Sequence, residues 1–421
     1  MTILALRRNA SAANSPNIRA LINFTSYALL LLIVVVPSLR LIIGLAQHST
    51  PDTDDGGSGS EKPAAKTVYA KEVSSPSHSI EHDERISFQP SSDPLLEPLD
   101  CLDLLGSYRK QTIPELKDHT DELPYHKSYL RLTKTDNPFY LSTNDGLVDT
   151  VRVDIFKKGF YYEPLLTQAM QTILEEEYDR MPAGVHLPKR PIMVDVGGNV
   201  GWFSMLSAAH GAEVYVFEPN VVNMVRLCES AVLNGWSSSS NPVDNQLHPF
   251  MKGVSNNHGE EHQMYKVHPR NPGSFTFSEK AAGKDEVPGG LLQLVTLDAL
   301  AQDQNWLDDD DNTRIAILKI DVEGLELKVF QGAAELLKSG TVKNIFMEWK
   351  KGEKKQESEE WEKILSMLLD AGYELYKIGN IPGPKDIVTD KFESGQELMV
   401  YLTSTMPIHN ANLWIRLSET E

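Results

Sequence analysis

Apolar residues follow three patterns along the chain: one long unbroken run, then very few, then short runs of strand and helix length. Residues 21–39 carry no charge and contain ALLLLIVVV, which is long enough to cross a bilayer as a helix. Residues 47–98 are rich in Ser, Pro, Asp, Glu, Lys and Gly and have no sustained apolar period, so they predict a flexible stem. From residue 99 onward the pattern is that of a globular domain.

Charges on either side of the apolar run predict its orientation. Arg7, Arg8 and Arg19 precede it, whereas acidic residues dominate the segment that follows. The positive-inside rule therefore predicts a cytosolic tail over residues 1–20 and a transmembrane signal anchor over residues 21–46. This is the layout of a single-pass type II membrane protein with a luminal enzyme domain, in the Golgi or the endoplasmic reticulum.

Two alternatives to the anchor stay open. The small residues Gly44, Leu45 and Ala46 fit a signal-peptide cleavage site, which would make the protein secreted. The absence of acidic residues before Asp52 also fits an organelle transit peptide.

The globular part divides into an N-terminal extension over residues 99–190, a main domain over residues 191–405 and a C-terminal tail over residues 406–421. The extension contains short strands and a helix predicted over residues 165–178. In the main domain strands alternate with helices, which predicts parallel crossover units. Residues 260–290 are polar and predict an inserted hairpin or loop. The predicted strands are 192–196, 213–218, 246–254, 315–320, 342–349, 373–378 and 397–403. The expected fold is α/β and Rossmann-like, with a seven-stranded, mostly parallel sheet, helices on both faces and an antiparallel last strand.

Composition excludes several classes of protein. The formal net charge is -19 and the sequence pI is near 5.1, which argues against nucleic acid as a partner. The two cysteines, Cys101 and Cys228, are far apart and have no His or Cys at metal-ligand spacing, so no disulfide framework or zinc site is predicted. Cys228 is expected to pack as a small apolar residue on a helix.

The segment VDVGGNVG, at residues 194–201, joins a predicted strand to a predicted helix through glycines. A dinucleotide fingerprint needs glycine at the third and sixth positions counted from Gly197, where this chain has Asn199 and Trp202. A phosphate-binding loop needs Gly-Lys-Ser/Thr, and the segment contains no Lys. What remains is Asp195-x-Gly197-x-Asn199-x-Gly201, followed by a second strand that ends in Glu218.

This pattern resembles motif I of class I S-adenosylmethionine-dependent methyltransferases. An acid about 20 residues after the turn can accept both ribose hydroxyls of such a cofactor. An acid at the turn suits a ligand that carries sulfonium and ammonium groups. The alternative is an ordinary strand-helix corner. The predicted cofactor-binding residues are Asp195, Gly197, Gly198, Asn199, Gly201, Glu218, Val254 and Ser255.

A second informative stretch is IAILKIDVEGLELKVF, at residues 315–330. An apolar strand ends here, and the helix that follows carries apolar residues on one face. Asp321 and Glu323 therefore lie at the carboxyl end of a parallel strand, where ligands bind in open α/β sheets. We expect them to face the crevice above Gly197, although Asp321 at a helix N-terminus can also serve as a cap.

Four blocks together resemble the FkbM family of methyltransferases: VDVGGNVG, VFEP at 216–219, TLDAL at 296–300 and LKIDVEGLELKVFQGAAELL at 318–337. Their order and spacing agree over roughly residues 155–350, and KKGFYYEP resembles the segment before the first core strand. Gly198 departs from the Ala that the family often has there. Residues 234–250 and 260–290 are longer than is typical.

The resemblance implies methyl transfer from S-adenosylmethionine to an oxygen of a small molecule, commonly a hydroxyl of a sugar, glycan or related metabolite. Asp321 is the first candidate for the general base, because a hydroxyl must lose its proton. Glu323 and Glu348 are expected to share the pocket, or all three acids to hold Mg²⁺ or Ca²⁺. Lys319 would keep an acid ionised or form a structural ion pair.

Tyr161, Tyr162 and Glu163 are expected to line the cofactor pocket, with core packing as the alternative. His210 and His248 are isolated and expected to be structural or exposed. Two other functions stay open: a catalytically silent scaffold that keeps the fold, and a dinucleotide-dependent oxidoreductase.

Overall fold

The computed structural model describes residues 91–109, 128–144, 151, 162–180, 190–237, 245–266, 275–276, 288–307, 313–322, 324–350, 358–378, 388–402 and 410–418. The predicted tail and anchor, residues 1–20 and 21–46, lie outside them, as does most of the predicted stem. None of the helices in the described ranges has the length and apolar content that a membrane span requires.

Strands and helices are numbered in chain order. The strands are β1 (Ser128–Leu132), β2 (Tyr140–Asn144), β3 (Ile192–Val196), β4 (Glu213–Phe217), β5 (Leu247–Phe250), β6 (Gly253–Val254), β7 (Glu261–Lys266), β8 (Phe275–Thr276), β9 (Pro288–Val295), β10 (Ile315–Ile320), β11 (Asn344–Lys350), β12 (Tyr373–Ile378), β13 (Val388–Phe392) and β14 (Asn410–Leu417). The helices are α1 (Cys101–Arg109), α2 (Pro164–Asp179), α3 (Trp202–Ala209), α4 (Val221–Leu233), α5 (Leu297–Asp303), α6 (Glu326–Gln331), α7 (Ala334–Lys338), α8 (Ser358–Asp370) and α9 (Gly395–Val400).

The central sheet has eight strands in the order β13-β12-β14-β11-β10-β3-β4-β5. The five strands from β11 to β5 are parallel, and β14 runs antiparallel between β11 and β12. Strands β3, β4 and β10 are buried along their whole length, as expected for parallel strands covered on both faces. The Rossmann-like α/β prediction is confirmed, with a mixed sheet of eight strands instead of seven.

Two hydrophobic cores cover the two faces of this sheet. Helices α2, α3 and α4 pack on one face, where Met170, Leu206 and Leu227 are fully buried. Helices α6, α7 and α8 pack on the other, with Phe330 and Leu336 also fully buried. The crossover helices lie on the faces of the sheet, and the carboxyl ends of its parallel strands form one edge, where ligands bind in open α/β sheets.

The predicted last strand is wrong. Residues 397–403 were expected to form the last strand, but helix α9 covers Gly395–Val400 because Ser394 caps it, accepting a hydrogen bond from the Glu397 N–H at 3.1 Å. Strand β14, in the segment predicted as a tail, runs antiparallel to β11 and β12 instead. Every second side chain of β14, at Ala411, Leu413 and Ile415, is buried in the same core. This burial favours the strand conformation for the segment.

The segment 246–254 forms two short strands instead of one. Strand β5 pairs with β4, and β6 pairs with β9 in a separate four-stranded sheet of order β6-β9-β7-β8. The antiparallel pairs β7–β9 and β7–β8 account for the hairpin expected in the 260–290 insertion.

A disulfide joins Cys101 to Cys228, contrary to the sequence expectation. The bond links α1 to α4 across 127 residues, and both cysteines are almost fully buried. Such a separation gives no signal in the sequence, because only the packing of α1 against α4 brings the thiols together. Beside it, buried Arg226 of α4 lies over the ring of Tyr108 of α1, 5.6 Å from its centre.

Candidate active site

The turn after β3 passes very close to the end of β10. The N–H groups of Gly197 and Gly198 donate to the Phe217 carbonyl oxygen at 2.9 and 3.0 Å. Gly197 has a φ of 88°, and a Cβ there would lie 1.9 Å from the Asp321 carbonyl oxygen. A Cβ at Gly198 would lie 2.3 Å from a methyl carbon of Val216. Side chains at these two positions would therefore displace the neighbouring strands.

Glu218 follows β4, and its carboxylate is fixed by backbone groups. One oxygen accepts the Asn199 N–H at 2.7 Å and the other accepts the Asn220 N–H at 2.8 Å. Burial raises the pKa of Glu218 from its ordinary value of 4.5 to about 7, although these bonds oppose the rise. A carboxylate has about four lone-pair sites, so the two remaining sites suit a pair of ligand hydroxyls.

Lys319 is a buried ammonium group among carboxylates. Its Nζ lies 3.4 Å from Asp321 Oδ2 and 5.0 Å from the centre of the Phe203 ring. Burial by itself lowers the pKa of Lys319, but the charges of Asp321, Asp195 and Glu163 outweigh it and raise that pKa. Lys319 is therefore charged and attracts all three carboxylates.

Asp195 presents an unsatisfied acceptor beside the glycine turn. Its Oδ2 accepts the Ser204 hydroxyl at 2.6 Å, whereas its buried Oδ1 has no hydrogen-bond partner among the described residues. Burial raises the pKa of Asp195, and the charge of Lys319 opposes that rise. A buried acceptor of this kind would be satisfied by a donor on a bound ligand.

Two further acids reach this edge of the sheet. Glu163 comes just before α2, and its carboxylate accepts a hydrogen bond from the Asn412 side chain on β14. Asn412 lies opposite Glu348 in the β11–β14 pair. Ile320 pairs with Met347, so Asp321 and Glu348 are the next residues on two neighbouring parallel strands.

The charges of this cluster do not cancel. Asp195, Asp321 and Glu163 interact with one ammonium group, that of Lys319, which leaves an excess of two negative charges when all are ionised. An excess negative potential attracts a cationic ligand and repels a phosphate. The site therefore suits a ligand that brings vicinal hydroxyls and positive charge.

Comparison with known proteins agrees with this geometry. Residues 195–375 match the family model described as the methyltransferase FkbM domain. The chain is also 32% identical over 165 residues to methyltransferase sdnD of Sordaria araneosa, a match that covers 36% of this chain and 63% of that protein.

Solved structures of methyltransferases resemble the chain more distantly. An S-adenosylmethionine-dependent methyltransferase of Agrobacterium tumefaciens is 8% identical, with a TM-score of 0.32 over 71% of this chain and 72% of that chain. Magnesium protoporphyrin IX methyltransferase of Synechocystis, with bound S-adenosylmethionine, is 12% identical, with a TM-score of 0.29 over 65% of this chain and 87% of that chain.

The structure brings most of the predicted site residues to one edge of the sheet. Lys319, Asp321 and Glu348 lie at the ends of β10 and β11, next to the turn residues Asp195, Gly197, Gly198, Asn199 and Gly201 and to Glu218. Tyr162 contacts Phe203, with ring centres 6.1 Å apart. Glu323 and Tyr161 lie outside the described residues.

The backbone of Ser255, next to Val254, contacts β9 and the end of α6. The Ser255 N–H donates to the Val295 carbonyl oxygen at 2.9 Å, and a Cβ at Gly332 would lie 2.1 Å from the Ser255 carbonyl oxygen. These contacts tie β6 to β9 and to the end of α6. Their assignment to cofactor binding stays a prediction.

The last predictions to compare with the structure are the metal site and the two histidines. No three His, Cys, Asp or Glu side chains among the described residues come together to hold a metal ion. The cation site of Asp321, Glu323 and Glu348 therefore stays a prediction. His210 and His248 are both buried, and His248 Nε2 lies 3.2 Å from Glu213 at the start of β4, the opposite end of that strand from Glu218.

Sequence reasoning missed residues that support the acids. Asn223 opposes the rise in the pKa of Glu218, and its side-chain oxygen accepts from Asn144 of β2 at 3.2 Å, which connects the N-terminal extension to α4. Asn412 was missed because it lies in the segment predicted as a tail. The alternation of apolar residues in NANLWIRL was the available signal for that strand.

Gly197→Ala should destabilise the protein far more than Gly211→Ala. Both glycines have positive φ, 88° and 86°, but a Cβ at Gly211 would meet no atom within 4 Å. We expect a loss of about 1 kcal/mol for Gly211→Ala from backbone strain, and at least about 3 kcal/mol for Gly197→Ala, where the Asp321 backbone must also move. Urea unfolding measures both. Equal losses would contradict the close approach.

Proposed function

We propose that this protein transfers a methyl group from S-adenosylmethionine to a hydroxyl oxygen of a sugar, a glycan or a related metabolite. The observation that carries the proposal is the Glu218 carboxylate, held by two backbone N–H groups beside the glycine turn. It is placed to accept hydrogen bonds from both hydroxyls of a ribose. The match of residues 195–375 to the FkbM domain supports the same reading.

The remaining contacts to the methyl donor are proposed from the charge of the site and of the ligand. S-adenosylmethionine has an ammonium group and a sulfonium group, and the cluster around Lys319 has an excess of negative charge. The unsatisfied Oδ1 of Asp195 would accept from the ammonium group. Gly197 and Gly198 have no side chains, so the ligand can approach the backbone of the turn closely. A dinucleotide brings phosphates instead, which this potential disfavours.

Asp321 is the proposed general base. When bound, S-adenosylmethionine supplies an electrophilic methyl group on a positively charged sulfur. The acceptor hydroxyl must lose a proton as its oxygen forms the new bond. The Asp321 side chain is 30% exposed at the carboxyl end of β10, so it can reach an acceptor. Its Oδ2 lies 3.4 Å from Lys319 Nζ, which holds the carboxylate in position.

The acceptor is proposed to be rich in hydroxyls. Asp321 and Glu348 follow paired residues on β10 and β11, and Glu323 comes shortly after. Ionised carboxylates act only as acceptors, so they are matched to donors such as sugar hydroxyls. Holding one such oxygen in line with the methyl group would supply a large part of the rate.

We place the enzyme in the lumen of the secretory pathway as a type II membrane protein anchored through residues 21–46. The disulfide between Cys101 and Cys228 supports this, because structural disulfides persist in oxidising compartments and are rare in the cytosol. A secreted or organellar form after cleavage is the alternative.

Binding of S-adenosylmethionine should depend on Glu218 and on pH. A carboxyl with a pKa of about 7 becomes protonated as the pH falls below 7 and then loses acceptor capacity. We expect the affinity to fall about tenfold from pH 8 to pH 6. Glu218→Gln should bind about 10- to 100-fold more weakly at pH 8, with a flat pH profile. Calorimetric titration measures this, with NAD as the control ligand. Unchanged affinity in Glu218→Gln, or tighter binding of NAD, would refute the assignment.

Transfer itself is tested with S-adenosylmethionine labelled in its methyl group, offered with fractionated glycans, small metabolites and proteins. We expect label in a hydroxyl-rich fraction. Asp321→Asn should reduce transfer at least about 100-fold, and it should weaken donor binding by no more than about tenfold, as expected for the loss of one charge from the cluster. Donor binding without transfer to any fraction would favour the catalytically silent scaffold. Undiminished transfer by Asp321→Asn would remove Asp321 as the base.

The luminal placement predicts that the cysteines are oxidised in cells. After thiols are blocked during lysis, Cys101 and Cys228 should react with a mass-tagged reagent only after reduction. Protease added to intact microsomes should leave residues 99–421 uncut until detergent is added. Free thiols in a protease-accessible protein would contradict this placement.

A further inference from the structure

Glu163 has a backbone conformation that is unfavourable for its residue type. Its φ of 41° and ψ of 71° lie in the left-handed region. The other described non-glycine residues with positive φ are Asn199 and Asn305, a type that tolerates this region. Glu163 is also the N-cap residue of α2, yet its side chain makes no capping hydrogen bond. Its carboxylate therefore serves neither local backbone geometry nor the helix.

The surroundings prevent Glu163 from relaxing. The Thr167 N–H donates to the Glu163 carbonyl oxygen at 2.9 Å, and the Thr167 hydroxyl donates to the Tyr162 carbonyl oxygen at 2.6 Å. The same hydroxyl accepts the Trp202 indole N–H at 2.9 Å. Trp202 begins α3 directly after the glycine turn, so this hydrogen bond connects the start of α2 to the helix that follows the turn. Strain that is held in place next to a site points to a functional use of the side chain.

The side chain of Glu163 belongs to the charged cluster. It accepts from Asn412 and interacts with the charges of Lys319 and Asp321, and burial raises its pKa while Lys319 opposes that rise. Lys319 is already 3.4 Å from Asp321 Oδ2 and also attracts Asp195. One ammonium group thus interacts with three carboxylates, and Glu163 contributes to the excess negative charge of the cluster.

We propose that Glu163 is a specificity-determining residue that favours the cationic methyl donor over its neutral product, an inference that rests on the proposed function. Methyl transfer leaves the electron pair of the broken carbon–sulfur bond on sulfur, so the sulfonium cation becomes an uncharged thioether. The acceptor oxygen gains the methyl group and its proton leaves to the base. Donor and product otherwise keep the same ribose, base and amino-acid groups. Only a charge near the sulfur can separate them strongly.

The experiment compares three ligands by calorimetric titration of the full-length chain. They are S-adenosylmethionine, S-adenosylhomocysteine and sinefungin, whose amine replaces the methyl sulfonium and keeps a positive charge. Glu163→Gln should weaken binding of the two cationic ligands about tenfold and that of S-adenosylhomocysteine by about twofold or less. Glu175→Gln, the same charge change on an exposed side chain of α2, should leave all three affinities unchanged.

A second variant separates recognition from folding. Glu163→Gly relieves the left-handed strain and glycine is acceptable at an N-cap, so this variant should melt at or above the wild-type temperature. It should nevertheless lose the same selectivity as Glu163→Gln. A purely structural Glu163 predicts equal weakening of all three ligands, which would overturn the inference. If wild type binds none of the three ligands, the proposed function fails instead.

Discussion

The contact between Gly197 and the Asp321 carbonyl oxygen is the constraint on which the site depends. Two neighbouring parallel strands, β3 and β10, end at the same level, and the turn after β3 must pass over the end of β10 without a side chain between them. The Asp321 N–H continues the pairing by donating to the Val196 carbonyl oxygen at 2.9 Å. The glycine turn and the acid of KIDVEG thus become parts of one surface, although they are more than one hundred residues apart in the chain.

Charge at this edge is arranged around Lys319. The sheet is covered on both faces, so the Lys319 ammonium group is buried, and charges interact more strongly there than in bulk water. Removing Lys319 should cost about 3–5 kcal/mol, because it leaves the surrounding carboxylates without compensation. The same arrangement leaves the pKa values of Asp195, Glu163 and Glu218 raised by burial. Stability and ligand preference therefore arise from one set of side chains.

Segments outside the matched family domain complete the site. Glu163 precedes residues 195–375 and Asn412 follows them, and the two side chains are hydrogen-bonded to each other. Asn144 of β2 donates to Asn223 of α4, which lowers the pKa of Glu218. The disulfide attaches α1 to α4, the helix that carries Asn223. The N-terminal extension and the last strand are in this way structural parts of the candidate active site.

The sequence by itself determined the parallel core and the residues of the glycine turn, because buried strands and glycine-rich corners leave local patterns of composition. It also placed Asp321 and Lys319 at a strand end, since that position follows from one apolar run and the helix after it. Tertiary structure alone decided the pairing of Cys101 with Cys228, the insertion of β14 between β11 and β12, and the grouping of Glu163 with Asn412. Each of these joins residues far apart in the chain, and their contact depends on which surfaces the folded sheet and helices bring together.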